Sequence, residues 1–329
     1  MNDPSDGASG GLICAYRLDG EPAAAITDWD AVRAAWAGEG TVWIHLDHAG
    51  AVSRRWHHEE SGLDPLVVSA LVAEETRPRA EPIGDGLLLN LRAVNLNPGA
   101  DPDDMVSIRI YADARRVVSV RLRRLMAIVD MRSAIEAGTG PQTTEAFLQQ
   151  LVAKLTDRMW PVIEALEGRL DDVEELVVEI RKFETRSVLA VIRQQAIGLR
   201  RYIAPQREAL TRIVGIEAGW IGDRVRRQFR ESADRVTRIV EDLDTIRERA
   251  AVVQDELSNR LSEEMNRRMY ALSVIAGIFL PLSLLTGLLG INVAGIPGAE
   301  EPSAFLIVCG LLVVIAILEI FIFRKMRWF

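Results

Sequence analysis

The sequence predicts an α+β N-terminal domain, then long amphipathic helices, then two C-terminal transmembrane helices. Three observations carry this: runs that alternate at period two as far as Leu122, long charged amphipathic stretches after Pro141, and two apolar stretches near the C-terminal end. Whole-chain averages conceal the division. Apolar residues make up 49% and charged residues 26%, and 47 acids against 39 bases give a net charge of −8. That sign argues against a nucleic-acid partner.

The alternating runs come first. Leu12, Cys14, Tyr16 and Leu18, then Val42, Ile44 and Leu46, Leu87, Leu89 and Leu91, Val106, Ile108 and Ile110, and finally Val118, Val120 and Leu122 each read as a strand. Helical stretches lie among them at Asp28 to Ala37 and Pro65 to Glu75, which makes residues 1–140 an α/β domain. Its polar, acidic start lacks the basic and apolar pattern of a secretory signal, so the domain is expected in the cytosol. Cys14 and Cys309 sit in segments of different character, which leaves neither a disulfide framework nor a thiolate metal site.

Gly138, Gly140 and Pro141 mark a turn, and residues 141–222 read as a helical hairpin of about Thr144 to Lys182 and Ser187 to Val214, with kinks expected at Pro161 and Pro205. After the break at Gly215 to Gly222, no Gly or Pro interrupts the chain from Asp223 until Gly277. One helix is therefore expected to run from a cytosolic stalk, residues 223–268, into the first apolar stretch.

That stretch, residues 269–290, is uncharged and reaches about 33 Å as a helix, enough for a hydrocarbon layer of about 30 Å. A loop at 291–303 and a second apolar stretch at 304–323 follow, and residues 324–329 form a basic tail. Arg267 and Arg268 precede the first span, Arg324, Lys325 and Arg327 follow the second, and the loop between carries only Glu300 and Glu301. The positive-inside rule then puts both termini in the cytosol. Glu319, about one turn from the basic tail, reads as an interface residue paired with it.

The long helix has two unlike faces. Ile239, Leu243, Ile246, Ala250, Val253, Leu257 and Leu261 form an apolar stripe for a neighbouring helix. Opposite fall Asp244, Glu248, Asp255, Ser262, Asn266, Met269, Ser273, Gly277, Leu280, Ser283 or Leu284, and Gly287. This polar and small-residue stripe continues into the membrane, while the second span is almost wholly Leu, Ile, Val and Phe. The first span is expected to be shielded and the second to face lipid; two spans cannot enclose a conduit, so conduction requires a ring of identical chains.

Phe279 to Asn292, FLPLSLLTGLLGIN, resembles the first membrane helix of the CorA superfamily of divalent-cation channels and transporters, with its proline and closing Gly-x-Asn, here Gly290, Ile291 and Asn292. Thr286 to Asn292, Val293 to Gly298, Glu75 to Arg79 (ETRPR) and Leu91 to Pro98 (LRAVNLNP) resemble the ZntB zinc-transporter branch in particular. Magnesium channels of the superfamily usually carry an aromatic residue before the Gly and Met within the motif, where this chain has Leu289 and Ile291.

The resemblance implies a CorA-like homopentamer in a bacterial inner membrane, with the long helices forming a cytosolic funnel and the first membrane helix of each copy lining the pore. Gly290, Ile291 and Asn292 would form the selectivity motif at the outer mouth, with Ser283, Leu280, Leu272, Met269 and Asn266 further in and Asp255 in the vestibule. Leu272 and Asn292 rest on the resemblance alone, being off the regular helix face. The transported ion that the resemblance implies is zinc, with protons as the co-substrate. A magnesium or general divalent channel, zinc efflux through the same pore, and a non-conducting signalling helix stand as alternatives. Glu300 and Glu301 would concentrate cations at the mouth; Arg324, Lys325 and Arg327 would oppose them at the inner end or simply anchor it.

No resident cofactor is expected. His45 and His48, and the run His57, His58, Glu59, Glu60, raise the question of a fixed zinc site. His48 need not share a face with strand residue His45, and adjacent His57 and His58 point apart on a helix, so no such site is assigned. No catalytic triad, phosphate loop or dinucleotide fingerprint occurs, and no enzyme activity is expected.

Overall fold

A computed structural model describes residues 10–20, 23–74, 76–179, 184–291 and 301–325. The chain divides between Gln254 and Asp255 into two compact units.

The first unit is built on a seven-stranded sheet. Its strands are β1 (Leu12–Arg17), β2 (Ala24–Ile26), β3 (Val42–Asp47), β4 (Arg79–Ile83), β5 (Gly86–Ala93), β6 (Val106–Ala112) and β7 (Arg116–Arg121). They lie in the order β2-β1-β3-β7-β6-β5-β4. Only β3 and β7 pair in parallel, Val42 opposite Arg116 through Asp47 opposite Arg121. The five strands expected from alternation are present, and two edge strands join them. β4 pairs with β5 alone, and at a sheet edge Pro82 is tolerated without its amide.

Both faces are covered, so each strand sends alternate residues into two different cores. Val42, Ile44, Leu46, Val118 and Val120 pack with Trp36 of helix α1 (Trp29–Ala37), with Trp56, and with Leu71 of α3 (Pro65–Val72). Trp56 begins a π-helical turn, Trp56–Glu60, that continues α2 (Ala51–Arg55). Leu87, Leu89, Leu91, Ile108 and Ile110 face the other way, onto α4 (Met126–Glu136) and the long helices α5 (Thr144–Glu179) and α6 (Glu184–Gly215). The first strand departs from the expected alternation. Its register slips between Leu12 and Cys14, so Leu12 joins the α1 side while Cys14, Tyr16 and Leu18 join the other.

The helix ends follow local chemistry. The Asp28 carboxylate accepts from the Ala31 amide at 2.8 Å to start α1, and Asp64 accepts from Leu66 at 2.7 Å to start α3, which has Pro65 in its first turn. α3 stops at Val72, short of the expected Glu75, which lies outside the described residues. α5 and α6 run on through Pro161 and Pro205, where kinks were expected, and neither helix breaks there.

Helix α7 (Asp223–Leu289) is continuous over 67 residues. Arg226 secures its approach: the guanidinium donates to the carbonyls of Ile216 at 2.5 Å, Ala218 at 3.1 Å and Ile221 at 3.2 Å, closing the turn from α6. Ile239, Leu243, Ile246 and Ala250 are buried as the stripe predicts, and Leu257 is buried further along, but Leu261 is exposed. Arg249 pins α7 to α5 through Glu167, Asp171 and Glu174, with N to O distances of 3.6, 2.6 and 2.7 Å. These carboxylates hold the guanidinium firmly charged, its pKa raised above the ordinary arginine value. Asp244, expected on the uncovered polar face, instead pairs with Arg200 of α6 at 2.6 Å.

Two histidines are buried in this unit. His45 Nδ1 lies 2.8 Å from Ser119 Oγ, while Nε2 has no partner. Burial, with Arg121 and Arg132 nearby, lowers its pKa to about 3. His57 has no partner on either ring nitrogen, and burial lowers its pKa to about 4, with help from His58 and His48. His48 Nε2 is bound to the Val72 carbonyl at 2.7 Å. Among the described residues no three His, Cys, Asp or Glu side chains converge to hold a metal.

Both buried rings are neutral in the fold and free to protonate once unfolded. Stability is therefore full above pH 6.5, the ordinary histidine value, and is lost as pH falls towards 4 for His57 and 3 for His45. The loss approaches about 1.4 kcal/mol per pH unit per histidine. Denaturant midpoints followed by tryptophan fluorescence from pH 7 to 5 should shift downwards, and His57→Gln should flatten the dependence; a midpoint constant over this range would contradict the assignment.

Candidate functional site

The second unit contains the distal part of α7 and helix α8 (Ala304–Lys325). Both helices are long and apolar enough to cross a membrane. In a bilayer their backbone groups must be satisfied within the helix, and a continuous α-helix does this. The hydroxyls follow the same rule. Ser273 donates to the Met269 carbonyl at 2.9 Å, and Thr286 to Leu282 and Ser283 at 3.0 and 3.1 Å. Ser283 Oγ and the Asn266 amide make no hydrogen bond among the described residues, which leaves both open to a ligand or water.

α8 lies on one side of α7. A Cβ placed on Gly277 would stand 2.9 Å from Cζ of Phe323, so the missing side chain is what lets the ring seat there. On that side Val274 is buried, and Ile278 and Leu285 are half-buried. At about 100° per residue, Met269, Ser273, Leu280, Ser283 and Gly287 fall on the other half of the helix, and all five are exposed. Leu272 is exposed at the margin of this set. Gly277, counted in the stripe by spacing, instead borders the α8 side, because the stripe drifts across the face there.

Beyond the apolar segment, Asn266 and Asp255 are exposed on the same side of α7. Arg260 pairs with Glu256 at 2.6 Å and Arg268 with Glu264 at 2.7 Å, so these charges neutralise one another along the helix. At the other end the Gly290 amide bonds the Thr286 carbonyl at 2.9 Å, and Ile291 is exposed. Asn292 and Glu300 lie outside the described residues, as does Arg327. Glu301 is exposed ahead of α8, and Arg324 and Lys325 occupy its last turn. The stretch between Arg268 and Glu300 thus carries no formal charge.

Glu319, expected to pair with the basic tail, makes no ion pair with Arg324 or Lys325, and its Oε2 is covered without a hydrogen-bond partner among the described residues; Arg327 lies outside them. Sequence reasoning missed Phe323 and Val274 altogether. The available signal was the pairing of a bulky residue near the end of one span with a glycine near the start of the other, which an antiparallel pair brings to one level.

The family model described as CorA-like Mg2+ transporter protein matches residues 38–325. The divalent cation transporter CmaX of Pseudomonas aeruginosa is 43% identical over 292 residues, 88% of each chain. The zinc transport protein ZntB of Pectobacterium carotovorum is 38% identical over 306 residues, 93% of this chain and 92% of that one. The solved structure of the full-length CmaX protein superposes with a TM-score of 0.85 at 40% identity, covering 98% of this chain and 100% of the other.

Because Gly277 is closed by Phe323, Gly277→Leu should lower the melting temperature of the detergent-purified protein, with an overpacking cost of about 1–3 kcal/mol. Adding Phe323→Ala should recover most of the loss; no recovery would mean that the two residues do not share a contact.

Proposed function

The chain belongs to the CorA-like Mg2+ transporter family, and on that premise we propose that it carries divalent cations, zinc foremost, across the bacterial inner membrane through a homopentameric pore. The carrying observation is the α7 face that α8 leaves uncovered, with Asn266, Ser273 and Ser283 set among Met269, Leu280 and Gly287. In a single chain this face would meet lipid. Five copies around an axis would turn it inward and leave the apolar α8 outside.

A small dication holds its water tightly, and this face offers no Cys, His or carboxylate within the span to replace that shell. Transit as a hydrated ion follows. Asn292 amides at the outer mouth and Ser283 hydroxyls deeper in would accept hydrogen bonds from ion-bound water without trapping the charge. Gly290 and Ile291 would set the turn that presents Asn292. Leu280 and Met269, with Leu272 beside them, would form narrow apolar collars that gate by dewetting. Asp255 would hold cations in the inner vestibule, while Glu300 and Glu301 raise their concentration outside. On this reading residues 1–140, the hairpin 141–222 and the stalk 223–268 are cytosolic, with Arg324, Lys325 and Arg327 returning the C-terminus to the same side.

Zinc is favoured by similarity to ZntB, and with it uptake coupled to protons. A general divalent or magnesium pore is the second reading, favoured by the similarity to CmaX, a divalent cation transporter. Leu289 and Ile291, where magnesium channels usually carry an aromatic and Met, weigh against magnesium.

Purified protein in vesicles should admit zinc at a rate that depends on the sign of an imposed pH gradient, and an excess of magnesium should compete weakly. Its mass in detergent should be five times that of one chain. Asn292→Ala should reduce flux on the order of tenfold, the worth of about one hydrogen bond per step, at unchanged mass. A monomeric mass, or full flux in that variant, would defeat the pore as drawn.

A further inference from the structure

Within the first unit, a cleft of about 240 Å³ opens where α5, α6 and the connection from β5 to β6 meet. Its walls are mostly apolar, with Pro161, Val162 and Ala165 of α5 facing Leu199 of α6. Two opposite charges line it as well. Asp103, half-buried on the connection, lies over Gly198 of α6: a Cβ added there would stand 3.0 Å from its Oδ2, so the absent side chain lets the carboxylate lie close to the helix. Arg169 of α5 is exposed and donates to the Gln195 side-chain oxygen of α6 at 2.9 Å, which holds the guanidinium across the two helices.

Asp103 and Arg169 form no ion pair with each other or with any other described residue. Both lie well inside the described chain: α5 runs on about 15 Å past Arg169, and α6 begins about 21 Å before Gly198. A ligand that matches both charges must carry a cation and an anion close together, beside an apolar body. A plain amine or a plain acid would match one charge and desolvate the other. Size narrows the choice further, since the cleft lies below the roughly 300–1,000 Å³ of sites for drug-sized molecules.

We propose that this cleft binds a free apolar α-amino acid as its zwitterion. The ammonium sits on Asp103, the carboxylate on Arg169 and the Gln195 amide, and the side chain on Pro161, Ala165 and Leu199. The site goes beyond the transport reading and does not depend on it.

Equilibrium dialysis of labelled L-leucine against the full chain in lipid nanodiscs tests this directly. Leucine should bind saturably at sub-millimolar concentration, one molecule per chain. Isocaproate, which lacks the ammonium, and isoamylamine, which lacks the carboxylate, should each compete at least about tenfold less well, the worth of one charge-assisted hydrogen bond. Asp103→Asn should weaken leucine by a similar factor and leave isocaproate unchanged; Arg169→Gln should weaken leucine and leave isoamylamine unchanged. Neither side chain carries an ion pair, so both variants should melt as wild type does, and if either fails to fold the two analogues on wild type decide. Absence of saturable leucine binding, equal competition by either analogue, or full leucine affinity in both variants would overturn the proposal.

Discussion

Backbone amides that leave water must find acceptors within their own helix, and α7 meets this demand over 67 residues with no Gly or Pro before Gly277. The continuity has a consequence for its side chains. With every amide committed to the helix, chemistry can vary only around the circumference, and α7 varies it three ways. Ile239, Leu243 and Ile246 are buried in the core of the first unit. Val274 and Gly277 are closed on the α8 side. Ser283, Leu280 and Met269 remain uncovered. Of these three, the surface left uncovered beside α8 is the one that the proposed cation path would use.

The first unit solves a different problem, since a sheet covered on both faces must absorb whatever polar groups its strands carry. Arg109 is buried in β6, donating to Ser107 Oγ at 3.0 Å and to the Glu74 carbonyl at 2.8 Å, and burial lowers its pKa to about 10. Arg92 likewise donates to the carbonyls of Thr76 and Met105 at 2.7 and 3.1 Å, with its guanidinium over the Tyr202 ring. Both fasten the segment after α3 to the sheet through backbone oxygens, which orders a connection with little apolar content. His45 and His57 are absorbed differently, by giving up their charge.

Much of this was legible in the sequence because it rests on period. Alternation located β3, β5, β6 and β7, and the absence of helix breakers located α7. What period does not encode was lost. The slip at Leu12 inserts a residue without changing composition, so alternation through Leu12 and Cys14 looks regular while the two side chains enter different cores. β2 and β4 are short edge strands with little apolar content to alternate. Asp244 falls on the polar stripe by spacing, yet the turn of α6 brings Arg200 within 2.6 Å of it, a contact set by tertiary geometry. Gly277 reads as one more small residue until Phe323, far along the chain, is seen to occupy its empty side.

The distribution of polar groups across the two membrane helices bears on how charge is handled. On the uncovered α7 face they are amide and hydroxyl; the one carboxyl, Glu319, sits on α8 towards the seam. In a path for dications this division has a physical logic. A fixed negative charge in a low-dielectric constriction binds a dication strongly enough to slow its exit, whereas a neutral dipole exchanges hydrogen bonds with the ion's own water at little net cost. A carboxyl on the seam side is placed differently: Glu319 shares a helix face with Phe323, away from the uncovered hydroxyls of α7, so it adds no fixed charge to that face.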